Sequence, residues 1–190
     1  MEADWEIEIG GDAPLIEAHW PGFVNLQLHP ERAGDLAEAL QIEGLASALI
    51  RLNANDSPVW TTKCDVWPTV DFDADELDAP HVEGLHAVAC YIDILPRNPR
   101  AWLVRENAVQ WCKELCARVR CLPLGSCRAD LVVRGAVMNA DRCDVGVTTY
   151  LTACGPSDEE ARSRLASALA VFLDAVAIEG APAALSSKLQ

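Results

Sequence analysis

Residues 57–68 read SPVWTTKCDVWP, and the alternation inside them decides how the chain is built. Successive side chains of a strand point to opposite faces. Taken as one extended segment, 59–67 puts Trp60, Thr62, Cys64 and Val66 on one side and Thr61, Lys63, Asp65 and Trp67 on the other. Burying the first set leaves Lys63 and Asp65 in water, where charges without partners belong. Cys64 is then a packing residue, and not a reactive thiol held between its two charged neighbours.

The same alternation recurs outward along the chain, at 5–9 (WEIEI), 23–29 (FVNLQLH), 85–95 (LHAVACYIDIL), 129–138 (ADLVVRGAVM) and 144–153 (DVGVTTYLTA). A helical period fills three of the intervals. Residues 31–51 align Leu36, Leu40, Leu45, Leu49 and Ile50, although Gly34 and Gly44 weaken the run. Residues 98–121 open with Asn98 as an N-cap and Pro99 at the first helical position. Residues 157–177 open with Ser157 as a cap, followed by acids that complement the positive end of a helix.

Two strands then precede each helix, three times over. This order predicts one α+β domain over 1–180: a single-layer, largely antiparallel six-stranded sheet with three helices on one face. Residues 181–190 read as a flexible tail. From the second strand to the fifth, the order is the β-α-β-β-α-β of ferredoxin-like folds. The turn GGDAP at 10–14 instead pairs the first strand with the second, so two strand orders remain open. The peptide LASAL occurs at 45–49 and again at 165–169, which agrees with a duplication but is too short to establish one.

Composition limits the partners. The chain has 190 residues, 51% apolar and 23% charged, a balance that can bury a full core. Its formal charge is −14, which repels phosphate backbones and anionic membranes, so neither nucleic acid nor a membrane is expected as a partner. The residues MEADWEIEIGGDAP do not read as a leader peptide, so none is expected, and no run approaches the roughly 18 apolar residues of a membrane span. A cytoplasmic protein with its eight cysteines reduced is the expectation.

Splitting every strand by parity gives a polar face opposite the helices. It carries Trp67, Tyr91 and Tyr150 together with Lys63, Asp65, Asp93, Arg134 and His29. Such a face has three readings. It is a solvated sheet surface, an association surface for a second copy or a protein partner, or a small-molecule site with aromatic walls. The leading expectation is binding or self-assembly through this face, with no cofactor. The alternative is an enzyme or carrier in which Lys63 and Arg134 hold an anion, Asp65 or Asp93 acts as acid or base, and Tyr91 and Tyr150 form walls.

Other motifs favour structure over chemistry. Cys112, Cys116, Cys121 and Cys127 lack the tight two-residue spacing of metal sites, and core filling is expected. A thiolate metal site at Cys112 and Cys116 is the remaining alternative. The acids Asp71, Asp73, Asp75 and Glu76 begin like a calcium loop, but Glu76 stands where glycine is needed and Val82 where glutamate is. His81 and His86 are too loosely framed to make a metal pair. No phosphate-binding or nucleophile-elbow motif occurs in the sequence.

Overall fold

Ser157 opens the last helix as its sequence suggests, its Oγ accepting a hydrogen bond from the Glu160 N–H at 3.2 Å. Such a cap contributes about 1 kcal/mol. Helix α3 (Asp158–Ala177) buries Leu165, Ala168, Leu169, Phe172 and Val176 along one stripe. In the same way α2 (Arg105–Arg120) buries Ala108, Trp111, Cys112, Leu115, Cys116 and Val119. A shorter helix, α1 (Leu45–Asn53), buries Leu45, Ala48, Leu49 and Leu52. All three stripes meet in one core with the inward residues of the sheet. These elements belong to a computed structural model that describes residues 1–8, 16–18, 22–138 and 142–177, without the side chains of 142–144. The expected inward Ile9, the turn at 10–14 and the tail at 181–190 lie outside the described residues.

The fold is mixed α+β. Its open sheet has six strands, β1 (Glu2–Ile7), β2 (Ile16–Glu17), β3 (Val59–Thr69), β4 (His86–Pro96), β5 (Cys127–Met138) and β6 (Arg142–Gly155). Their order is β1-β5-β6-β4-β3, and β2 also pairs with β5. Hairpins β3–β4 and β5–β6, and the central pair β4–β6, are antiparallel. By contrast β1 and β2 both run parallel to β5, in tandem along one edge.

Several sequence-based expectations are corrected here. The first strand pairs with β5 and not with a second strand across a hairpin. A ferredoxin-like order would seat the second strand between β5 and β4, and β6 occupies that place. In chain order two strands do precede each α-helix, but β1 and β2 do not pair with each other, so the three units are not equivalent. Residues 23–29 are not a strand: the Asn25 side chain accepts from the Leu28 N–H at 3.1 Å, and its carbonyl from the His29 N–H at 3.0 Å. This local capping by asparagine competes with extended pairing. Leu26 is buried while Leu28 is 69% exposed.

The helix expected over 31–51 breaks into 3-10 turns at Pro30–Asp35 and Glu38–Leu40 before α1. Gly44, at φ +83°, stands at the N-cap of α1 in a left-handed conformation that ends any continuous helix. The helix expected from 98 starts at Arg105 instead. Asn98 does not cap it, because its Oδ1 accepts from the Arg100 N–H at 3.0 Å within a turn.

The most consequential correction lies in β3. Thr61 pairs with Ile94 but Cys64 pairs with Ile92, so Thr62 and Lys63 together stand opposite Asp93. This β-bulge inserts one residue and reverses the parity of everything before it. Cys64 and Val66 face the helices as expected, alongside Cys90 and Ile92. Trp60 does not: it packs on the opposite face with Ile16, Ala18, Leu95 and Ala136. Thr61 takes the helix side and is buried there. Its N–H donates to Asn53 Oδ1 at 3.0 Å and its Oγ1 accepts from Asn53 Nδ2 at 2.7 Å. Asn53 Nδ2 also donates to Leu49 O at 2.8 Å. The last residue of α1 thus holds the strand on the near side of the bulge.

The face away from the helices is covered at both ends. At one end Trp60 and Leu95 join Ile16, Ala18 and Ala136, with Phe23 and Met138 against them. Gly146 lies beneath this cap, where a Cβ would come within 2.6 Å of Ile16 Cδ1 and 3.0 Å of Leu95 Cδ2. At the other end Leu77 and Ala79 from the 70–85 loop cover Ala87 and Cys154. Between the two caps lies a floor of polar and aromatic side chains that ranges from buried Asp93 and Thr148 to exposed Asp65.

Candidate functional site

Three cross-strand rows make up this floor. Asp65, Tyr91, Tyr150, Asp130 and Asp4 pair in sequence across the sheet. Beside them run Asp93, Thr148, Val132 and Glu6, with Thr62 and Lys63 of the bulge opposite Asp93. On the other side run Trp67, Ala89, Thr152, Arg128 and Glu2. Six of the eight residues nominated from sequence, Lys63, Asp65, Trp67, Tyr91, Asp93 and Tyr150, therefore meet on one surface, and a seventh, Arg134, reaches it from the next row, opposite Gly146. The eighth, His29, does not. It precedes the first 3-10 turn, exposed, with Nδ1 3.3 Å from Glu31 Oε1.

The aromatic residues form a continuous row. Trp67 and Tyr91 have ring centroids 6.1 Å apart at 54°, and Tyr91 and Tyr150 are 6.1 Å apart at 55°. Tilted pairs at this spacing are favourable, each by about 0.5–1.5 kcal/mol beyond their buried area. The Arg134 guanidinium lies over the Tyr150 ring, its Cζ 5.6 Å from the centroid. Its Nε sits 2.7 Å from Glu8 Oε2, an ion pair that is not aligned as a hydrogen bond. Nη1 of Arg134 donates weakly to Thr148 Oγ1 at 3.5 Å, and Thr148 donates to Asp93 Oδ1 at 2.6 Å. Glu8, Arg134, Thr148 and Asp93 thus form a polar chain from the sheet edge to its centre.

Burial sets the acid–base character of this chain. Asp93 is 4% exposed, and desolvation raises its pKa above the usual carboxylate range. The Thr148 hydrogen bond and the charges of Lys63 and Arg134 act the other way. Tyr91 is pushed up to about 12 by burial first, then by Asp93 and Asp65. The Cys64 thiol also rises to about 12, through burial and the acids Glu38, Asp65 and Asp93. Neither group is a nucleophile at neutral pH, because each keeps its proton. What the arrangement can do is bind. It presents hydrogen-bond donors, aromatic faces and fixed charges.

A cavity of about 400 Å³ opens where the bulge meets the 22–38 segment. Lys63, Asp65 and Tyr91 line one side with Thr62 and Cys64, and Val24, Leu26, Leu36, Glu38 and Leu49 line the other. The cavity lies under 22–38, whereas the 70–85 loop seals its own end of the sheet with Leu77 and Ala79. Thr62 is buried, and its hydroxyl has no hydrogen-bond partner among the described residues. A second cavity, of about 310 Å³ between the 54–58 turn and α3, contains none of the nominated residues. At the β1 side Arg128 grips Asp130 through Nε, at 2.7 and 2.9 Å to the two carboxylate oxygens.

Sequence reasoning missed Glu38, Thr62 and the apolar lining. Glu38 sits in a stretch that reads as helix, and only the bulge brings Thr62 to the cavity. Thr148 and Asp130 carried the right parity signal but were not singled out. Cys112 and Cys116 are 0% and 1% exposed in the main core. Among the described residues, no group of three or more His, Cys, Asp or Glu side chains is placed to hold a metal ion. Nor is any described helix long and apolar enough to cross a membrane. No family model, no curated protein and no solved structure matches the chain, so side-chain geometry alone carries the functional reading.

Proposed function

We propose that the chain binds a small molecule in the cavity at the β3 bulge, with the polar-aromatic floor as its outer rim. The observation that carries this reading is the cavity itself. At about 400 Å³ it falls in the size range of ligand sites, with an apolar lining on one side and a few polar groups on the other. Its polar side is made by Lys63, Asp65 and Tyr91, three residues that strand parity alone nominates. The role is recognition, because neither Tyr91 nor Cys64 is poised to react. Seven free cysteines among the described residues, five of them buried, support a reducing compartment such as the cytoplasm.

A ligand screen by thermal shift tests the reading, run in parallel on the wild type and on Val24→Trp. Val24 is half-buried on the cavity wall, so the indole fills the space without entering the main core. Compounds that raise the wild-type Tm are expected to lose their effect on the variant. Stabilisation that persists unchanged in Val24→Trp contradicts the assignment.

The row Trp67–Tyr91–Tyr150 supports a second reading, association with another copy or a protein partner, because its three rings are contiguous and each partly exposed. Light scattering after size-exclusion chromatography distinguishes the two. A monomer whose mass does not respond to Tyr91→Ala removes self-association from consideration.

A further inference from the structure

The cavity at the β3 bulge also has an electrostatic sign, and that sign selects among ligands. This step rests on the small-molecule reading above. Among the described residues lining the cavity, Glu38 and Asp65 are acidic and Lys63 alone is basic. Lys63 stands on the bulge opposite Asp93, and its charge acts on that buried carboxylate. The balance at the cavity is therefore negative. The thiol of Cys64, on the wall, reports the same sign: Glu38, Asp65 and Asp93 all disfavour a negative charge there.

Two further observations point to a ligand. Tyr150, next in the aromatic row, already takes a cation on its ring, with the Arg134 Cζ 5.6 Å from its centroid. Tyr91, the middle ring of the row, reaches the cavity between Asp65, its cross-strand partner, and Asp93, two residues along β4. Tyrosine faces flanked by carboxylates attract ammonium and guanidinium groups through the ring quadrupole and direct charge together. In addition, Thr62 lines the cavity at 9% exposure with a hydroxyl that has no hydrogen-bond partner among the described residues. A buried hydroxyl in that state is costly unless a bound group satisfies it.

From this geometry we infer that the cavity takes a small organic cation, an amine with an apolar body. The nitrogen lies against Tyr91 and Asp65, and the body lies against the half-buried Val24 and Leu36. An anionic ligand of the same shape meets Glu38 and Asp65 and is rejected.

Three probes with one skeleton test the assignment by calorimetric titration of the full chain: phenethylamine, phenethyl alcohol and hydrocinnamate. Phenethylamine is expected to bind roughly ten-fold more tightly than the alcohol, the range of a partly desolvated cation–π contact, and hydrocinnamate least of all. Asp65 is exposed, and its Oδ1 accepts from the Val66 N–H at 2.7 Å, a bond the asparagine amide oxygen also accepts, so Asp65→Asn leaves the fold intact. That variant is expected to erase most of the amine's advantage without changing the affinity for the alcohol. If the alcohol or hydrocinnamate binds as tightly as the amine, the charge assignment is overturned while the small-molecule reading stands. An amine preference that survives Asp65→Asn combined with Glu38→Gln overturns it too. Silence from all three probes at millimolar concentration overturns both.

Discussion

Replacing Asn53 with leucine probes the device that holds the site in place. Asn53 is 1% exposed at the end of α1, and its side chain makes three hydrogen bonds: it accepts from the Thr61 N–H at 3.0 Å and donates to Thr61 Oγ1 at 2.7 Å and to Leu49 O at 2.8 Å. Leucine fills nearly the same space but satisfies none of these groups. The Thr61 N–H is then left buried without an acceptor, at a cost of about 1–3 kcal/mol. Losing the hydrogen bonds to Oγ1 and the Leu49 carbonyl adds about 1 kcal/mol between them, since each group retains some capacity to re-pair. A total near 3 kcal/mol lowers Tm by roughly 6–12 °C in a chain of this size. Urea denaturation and scanning calorimetry measure both quantities. Thr61→Val, which removes only the hydroxyl, is expected to cost about 1 kcal/mol. A stability for Asn53→Leu within about 0.5 kcal/mol of wild type refutes the reasoning, because that is the size of an inconsequential surface change. So does a Thr61→Val variant that is as damaged as Asn53→Leu.

Asp93 gives a pH-dependent test. Burial raises its pKa in the folded state, so the ionised form costs stability. That cost is absent below the ordinary carboxylate pKa, grows as pH rises from there to the raised folded-state pKa, and is complete above it. Asp93→Asn keeps a carbonyl acceptor for Thr148 and is expected to stabilise the protein at about pH 7 and to be neutral at about pH 3 in denaturant titrations. A variant weakened at pH 7 alone contradicts this. Trp60, 1% exposed in the cap opposite the helices, is expected to cost about 3–5 kcal/mol on truncation to alanine, measured by the same denaturation. With its pKa pushed up to about 12, Cys64 is roughly one part in ten thousand thiolate at pH 8. In native protein, thiol-reagent labelling followed by peptide mapping is expected to modify exposed Cys121 well before Cys64.

Parity reasoning reached the floor of the sheet because most strands obey it. In β4, β5 and β6, the residues assigned outward from sequence, Tyr91, Asp93, Arg134, Thr148 and Tyr150, do share the face away from the helices. Parity failed at Trp60, Thr61 and Thr62, because one inserted residue at a bulge inverts all earlier positions and leaves no trace in residue type. It failed also at 23–29, where apolar alternation was overridden by the side chain of Asn25. Strand order was illegible for another reason. The parallel pairing of β1 and β2 with β5 depends on contacts more than a hundred residues apart, which no local pattern encodes. The cavity inherits both difficulties, since the bulge forms one wall and the misread 22–38 segment the other.

Amide chemical-shift mapping during a phenethylamine titration tests the central claim most directly, because it reports where a ligand sits. The account predicts shifts concentrated at residues 61–66, at Tyr91 and along 22–38. Shifts confined to α2 and α3, or a spectrum unchanged at saturating amine, contradict it.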